Sequence, residues 1–283
     1  MKAKNVLAAA VCAASLFAVS SCSKEQEAIA PTAEAEVSPA VLTQIRALGF
    51  STQDIGKVEE GYLVEGDIVI TDEHLAATPD QQLLRVGDEE QYRTYNLVGI
   101  SGTSRTIRVV VSDDLPAAYR TATDEAIRRY NALRLRLRFL RVSSAEDDDI
   151  DIFIFKGIVT PRLVRTAAWS GGPLRRAGDP YNRINVNLPL LGTAKAKTYI
   201  ATVLAHEIGH CIGFRHTDYK TRSSCPRADR FNEGNDTPGT AGAVEIPGTP
   251  RGTDPNSWML TCIDPGANRP FNANDITALR YLY

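Results

Sequence analysis

The segment His206-Glu-Ile-Gly-His-Cys-Ile-Gly-Phe-Arg-His216 constrains this chain more than any other stretch. Four histidines occur in 283 residues, and three of them fall in this segment. On a helix His206 and His210 stand four residues apart, so both imidazoles leave one face with Cβ atoms about 5–6 Å apart. That spacing lets two ring nitrogens share one Zn²⁺ at about 2.0–2.1 Å. Glu207 lies one step around the helix, where its carboxylate reaches a metal-bound water without occupying the metal. Gly213 offers a helix end, because glycine tolerates the left-handed conformation there. The chain then turns, and His216 is placed to return as third ligand. Three protein ligands leave a fourth position for water, the pattern of a catalytic zinc site. Zinc lowers the pKa of bound water from about 15.7 toward 7 and polarises a scissile carbonyl, while Glu207 takes the water's proton and delivers it to the leaving amine. The alternative, a buried histidine helix without metal, desolvates three imidazoles for no return. His74 stands alone and is assigned no role.

All five fixed positions of the extended pattern HExxHxxGxxH are present. With Thr217-Asp218 following, the segment resembles the metzincin clan of zinc endopeptidases, and within it the dual-action HEIGH metallopeptidases. The likeness covers about residues 96–283, and more loosely the segment before them. It implies His206, His210 and His216 as ligands of one catalytic Zn²⁺, Glu207 as base, and a protein or peptide substrate. It also implies a methionine turn beneath the metal, and Ser257-Trp258-Met259-Leu260 has that form; Met259 is the one methionine besides the initiator. Some clan members carry a tyrosine ligand two residues beyond this methionine. Thr261 stands there, so no tyrosine ligand is expected. Clan substrates lie antiparallel to an edge strand, and residues 166–171 (TAAWSG) are the candidate for it. Upstream, Val64-Glu65-Gly66-Asp67-Ile68 resembles the propeptide motif of astacin-type zymogens, with valine where phenylalanine is usual. That likeness implies Asp67 as a latency ligand in the open zinc position. A strand with a tight turn is the other reading of these residues.

The N-terminus carries an address. Lys2 and Lys4 precede an apolar run of roughly 15 residues, too short for a membrane span of about 20. The run ends at Val19-Ser20-Ser21-Cys22, which resembles a bacterial lipobox with Cys22 as the lipidated residue; an ordinary signal peptide is the alternative. Ser23 is not the aspartate linked to inner-membrane retention, so the resemblance implies an exported lipoprotein of the outer membrane or cell surface. No other stretch is apolar and long enough to span a bilayer. In an oxidising compartment Cys225 and Cys262, both in loop-like sequence, are expected to form a disulfide, and Cys211 to be a buried thiol within a helix.

The expected organisation is a signal peptide (1–22), a flexible tether (23–36), an N-terminal segment of possible inhibitory role (37–95) and a zinc metallopeptidase domain (96–283). Within it the pattern predicts a short helix after Ser38, one strand-like run over 61–70, strands at 106–112, 149–155 and 183–188, long helices over 115–133 and from 193, and a closing helix from Asn272. The LRLRLRFLRV run at 133–142 alternates with period two, so Arg134, Arg136, Arg138 and Arg141 read as the wet face of a strand and not as a nucleic-acid stripe. The acids of 146–151 read as a solvated turn, with calcium binding as the alternative. The fold class is α/β (α+β): a twisted mixed sheet, two long helices and a loop-rich C-terminal subdomain ending in a helix. The net charge of −2 argues against a nucleic-acid partner. Function is thus expected to be zinc-dependent endopeptidase activity. A surface lipoprotein with a structural zinc site and a zinc amidase acting on cell-wall peptides are the rivals.

Overall fold

The computed structural model describes residues 37–76, 91–144, 149–157, 163–172, 178–233 and 243–283. Cys22 and the expected signal and tether segments lie outside them.

Helix α1 (Pro39–Ala47) begins where Ser38 accepts a hydrogen bond from the Val41 amide and Pro39 fills the first turn. Strands β1 (Gly56–Val58), β2 (Gly61–Val64) and β3 (Ile68–Thr71) follow as an antiparallel sheet in that order. The strand-like run over 61–70 is therefore a hairpin, with the tight turn of the second reading at its tip. Val64 pairs with Ile68, and the three residues between them turn through left-handed backbone at Glu65 (φ 55°) and Gly66 (φ 95°). The alternation of side chains continues across such a turn, which is why periodicity alone hides it. Ile45, Phe50, Val64, Ile68 and Ile70 form a small core of their own. Helix α2 (Asp72–Ala76) ends this part.

Strand β4 (Tyr92–Arg93) opens the second part. A five-stranded sheet is then built from β5 (Arg105–Val111), β6 (Leu137–Val142), β7 (Ile150–Ile154), β8 (Ala168–Trp169) and β9 (Arg183–Val186). Its order is β6-β5-β7-β9-β8, parallel except for the β8 edge. Helix α3 (Ala117–Ala132) makes the first crossover, and the short α4 (Leu188–Leu191) leads into α5 (Lys197–Cys211). Helix α5 is buried on every side from Tyr199 to Cys211, because α3 lies against it. Tyr130 of α3 donates to the Ala205 carbonyl at 2.7 Å, and Arg129 donates to Thr202 at 3.0 Å. Strands β10 (Phe214–Arg215) and β11 (Val244–Glu245) flank β4 in an antiparallel sheet. This ladder ties Tyr92–Arg93 to the C-terminal part, on the other side of the expected boundary at 95/96. Helix α6 (Ala273–Leu282) starts with the capping box formed by Asn272 and Asp275.

The LRLRLRFLRV run enters the sheet only at Leu137, since Arg134 is left-handed (φ 54°). Leu137 and Phe139 are buried while Arg138 is exposed, and Arg141 pairs with Asp124 at 2.6 Å. Of the acidic stretch, residues 145–148 lie outside the described set; Asp149 accepts from the Arg108 amide at 2.7 Å. No helix among the described residues is long and apolar enough to cross a membrane.

Candidate metal centre

Helix α5 carries His206 and His210 on one face, and the chain reverses after it at Gly213 (φ 110°). Strand β10 then brings His216 back to them. All three rings are buried, with centroids 4.7–5.4 Å apart. Each Nδ1 has its own partner: the Trp258 carbonyl for His206, the Phe214 carbonyl for His210 and Glu233 Oε2 for His216, all at 2.8 Å. Carbonyls only accept, so the Nδ1 atoms of His206 and His210 donate, and in the neutral rings Nε2 is left as a bare lone pair. Those two Nε2 atoms face each other at 3.0 Å. Two lone pairs held that close call for a cation between them, and the ligand atoms of the three histidines and Asp67 all lie within 4.8 Å of one another. The donor set thus fits Zn²⁺, which accepts nitrogen and carboxylate oxygen alike.

Asp67 enters from the tip of the β2–β3 hairpin. Its carboxylate lies 3.3 Å from His206 Nε2, 3.2 Å from His216 Nε2 and 3.7 Å from His210 Nε2, and its Oδ1 accepts no hydrogen bond. Burial opposes ionisation of Asp67, but the charge of His216 and the nearness of the His206 and His216 rings outweigh it and hold the carboxyl well below its usual range. His210 is also lowered, well below the ordinary imidazole value, by burial. Glu207 is buried beside them, its Oε2 accepting from Ser170 Oγ at 2.8 Å. Burial, and then the Asp67 carboxylate, push its pKa well up.

Met259 is fully buried under α5. A Cβ placed on Gly209 would meet its sulfur at 2.6 Å and Trp258 Nε1 at 3.3 Å. Asp275 secures this turn by accepting from Ser257 Oγ (2.8 Å), the Trp258 amide (3.3 Å), the Asn272 amide (3.0 Å) and Gln91 Nε2 (2.9 Å). Thr261 Oγ1 donates to Asp218 Oδ1 at 2.9 Å and to Glu233 Oε1 at 3.2 Å. A disulfide joins Cys225 to Cys262, and Cys211 is a buried free thiol. His74 sits in the N-terminal part, its Nδ1 accepting from the Thr71 amide at 3.0 Å and its Nε2 lying 3.3 Å from the Gly172 carbonyl.

Sequence reasoning missed four contributors. Ser170 belongs to the candidate edge strand, but nothing in TAAWSG marks it as the partner of Glu207. Glu233 lies 17 residues beyond His216, in a loop whose path no periodicity predicts. Arg215 and Glu65 pair across 150 positions, a separation with no local signal.

An imidazole trio with a carboxylate on the neighbouring helical position defines a zinc metallopeptidase site. The sequence profile of the dual-action HEIGH metallopeptidases matches residues 62–283, and the chain belongs to that family. It is a zinc-dependent peptidase, a hydrolase of protein substrates. Solved structures similar to the chain include high choriolytic enzyme 1, a hatching-enzyme zinc protease of the medaka fish Oryzias latipes. The match has 18% identity and a TM-score of 0.42, covering 66% of this chain and 94% of that one. Myroilysin matches at 14% identity and a TM-score of 0.40, covering 63% and 92%. Comparison with the curated proteins finds no match.

Proposed function

We propose that the chain is an endopeptidase made in a latent form, with His206, His210 and His216 holding the zinc and Glu207 acting as general base. The observation that carries this reading is the inward convergence of three Nε2 atoms beside a buried carboxylate held by Ser170. Bound zinc supplies a water acidic enough to attack near neutral pH. Trp258, Phe214 and Glu233 fix the ring tautomers through Nδ1. Glu207, held by Ser170 Oγ at 2.8 Å, would accept the water's proton and hand it to the leaving amine. The β8 edge offers main-chain groups to an extended peptide.

Latency rests on the hairpin. Asp67 takes the position a water needs, and the same segment occupies the edge strand. Ser170 donates to the Asp67 carbonyl at 3.0 Å, and the Val69 amide donates to Ser170 at 2.6 Å. Ile68 bridges Ser170 in the parallel sense, opposite to an antiparallel substrate. Export as a lipoprotein anchored through Cys22 at the outer membrane or cell surface completes the reading, and the Cys225–Cys262 disulfide suits an oxidising compartment.

The test compares wild type with Glu207→Ala. Zinc content by atomic absorption should be equal, while peptide cleavage should fall about 10²–10⁴-fold. Unchanged cleavage would refute the assigned mechanism.

A further inference from the structure

The hairpin tip brings two carboxylates to the centre. Asp67 faces the imidazoles, whereas Glu65 turns to the other side of His216. There it is fully buried, with Arg215 Nη2 at 2.6 and 2.5 Å from its two oxygens. Arg215 precedes the third histidine, is 1% exposed, and has the Phe50 ring 4.1 Å from its guanidinium carbon. Arg222 stands behind, its Nη1 donating to the Glu65 carbonyl at 2.9 Å and to Glu233 Oε1 at 2.6 Å. Since Glu233 also holds His216, the cationic pocket and the metal centre share one carboxylate.

The components divide cleanly by origin. Phe50, the Ser51 amide that donates to Glu65 at 3.1 Å, and Glu65 all come from the N-terminal part. Arg215, Arg222 and Glu233 come from the part that carries the histidines. Glu65 adopts a left-handed backbone (φ 55°), unfavourable for a residue with a side chain by about 1–2 kcal/mol. The contact with Arg215 offsets that strain. Withdrawing the hairpin removes two carboxyl groups, those of Glu65 and Asp67, and takes from Arg215 the partner that contacts it through both oxygens. A guanidinium inside a protein strongly favours a carboxylate partner.

We infer that Arg215, backed by Arg222, forms a specificity pocket beside the metal for an acidic side chain of the substrate, and that Glu65 occupies this pocket in the latent chain. The inference rests on the latent endopeptidase reading above and adds a substrate class to it: peptides with Asp or Glu close to the scissile bond.

The test uses the full chain carrying Glu65→Ala and Asp67→Ala, which vacates both positions. Two peptide series differ only in Glu or Gln at one residue near the cleaved bond. The Glu series should show kcat/KM about tenfold higher or more, as expected of a charge-assisted contact. Adding Arg215→Gln should bring the ratio near one, and Arg215→Lys should restore part of it. Equal kcat/KM for both series, or a ratio that survives Arg215→Gln, overturns the pocket. A second measurement avoids changing the buried arginine: binding of both series to the same chain with Glu207→Ala, read by calorimetry. About tenfold tighter binding of the Glu peptide supports the pocket, and equal binding overturns it while leaving the hydrolytic reading intact. Selective binding by a chain whose Glu207-intact counterpart cleaves neither series would refute the hydrolytic reading and still support the pocket.

Discussion

The part built from α1 to α2 and the part built from β4 to α6 are held by different forces. The second encloses a large continuous core in which α5, α3 and the five-stranded sheet bury one another. The first has five buried apolar side chains of its own, and lends Leu63, Val69 and the partly buried Val58 to the larger core. Many of its attachments are polar: Asp67 at the imidazoles, Glu65 at Arg215, Thr166 Oγ1 on the Gly66 carbonyl at 2.9 Å, Asn185 on Glu60 at 2.9 Å. Apolar burial is non-directional and hard to reverse piecemeal, whereas paired charges are lost when one partner is removed. The difference suits the proposed latency, with a permanent scaffold on one side and a releasable lock on the other.

Removing the lock's central carboxylate is the sharpest test of that contrast. Asp67→Ala should raise peptidase activity of the full chain on the order of 10²-fold, the ratio that about 2.7 kcal/mol of latent-state preference gives. Unchanged or lower activity with zinc retained would break the comparison. A smaller effect is expected on the scaffold side. Asp275→Ala strands four donors around the Met259 turn and should lower unfolding free energy by about 2–4 kcal/mol in denaturant melts; a loss under about 0.5 kcal/mol would show that the turn is held by packing alone. The smallest effect concerns acid. Burial holds His74 down to about 4 from an ordinary 6.5, so the fold favours its neutral form. Its contribution, about 1–2 kcal/mol after allowance for partial exposure, is complete above pH 6.5 and lost as pH falls toward 4. Hydrogen exchange should therefore quicken in β3 and α2 across that window before it does in α5. Uniform quickening would merge the two parts into one.

Local spacing made the centre legible and long-range closure did not. The four-residue step from His206 to His210 and the glycine at 213 sufficed to predict converging rings, because helix geometry converts number into direction. Asn272 announced the closing helix in the same way. Asp67 came into view through likeness to a zymogen motif, not through physics, since its histidine partners lie some 140 residues away. Glu65–Arg215 and Ser170–Glu207 were invisible for the same reason: each joins segments whose meeting depends on the whole fold. The tight turn at the hairpin tip was legible only through its glycine, because a left-handed non-glycine residue at position 65 leaves no mark in the alternation.

The contact between Gly209 and Met259 means that a letter of the motif has nothing to do with metal chemistry. A hydrogen faces the thioether because no larger substituent would let helix and turn sit that near. The turn and the histidine-bearing helix are consequently a single mechanical piece, and a residue outside the ring cluster sets the height at which the rings converge. Grafting the histidines and the glutamate onto another helix, without that missing methyl and the sulfur beneath it, would copy the ligands but not their alignment.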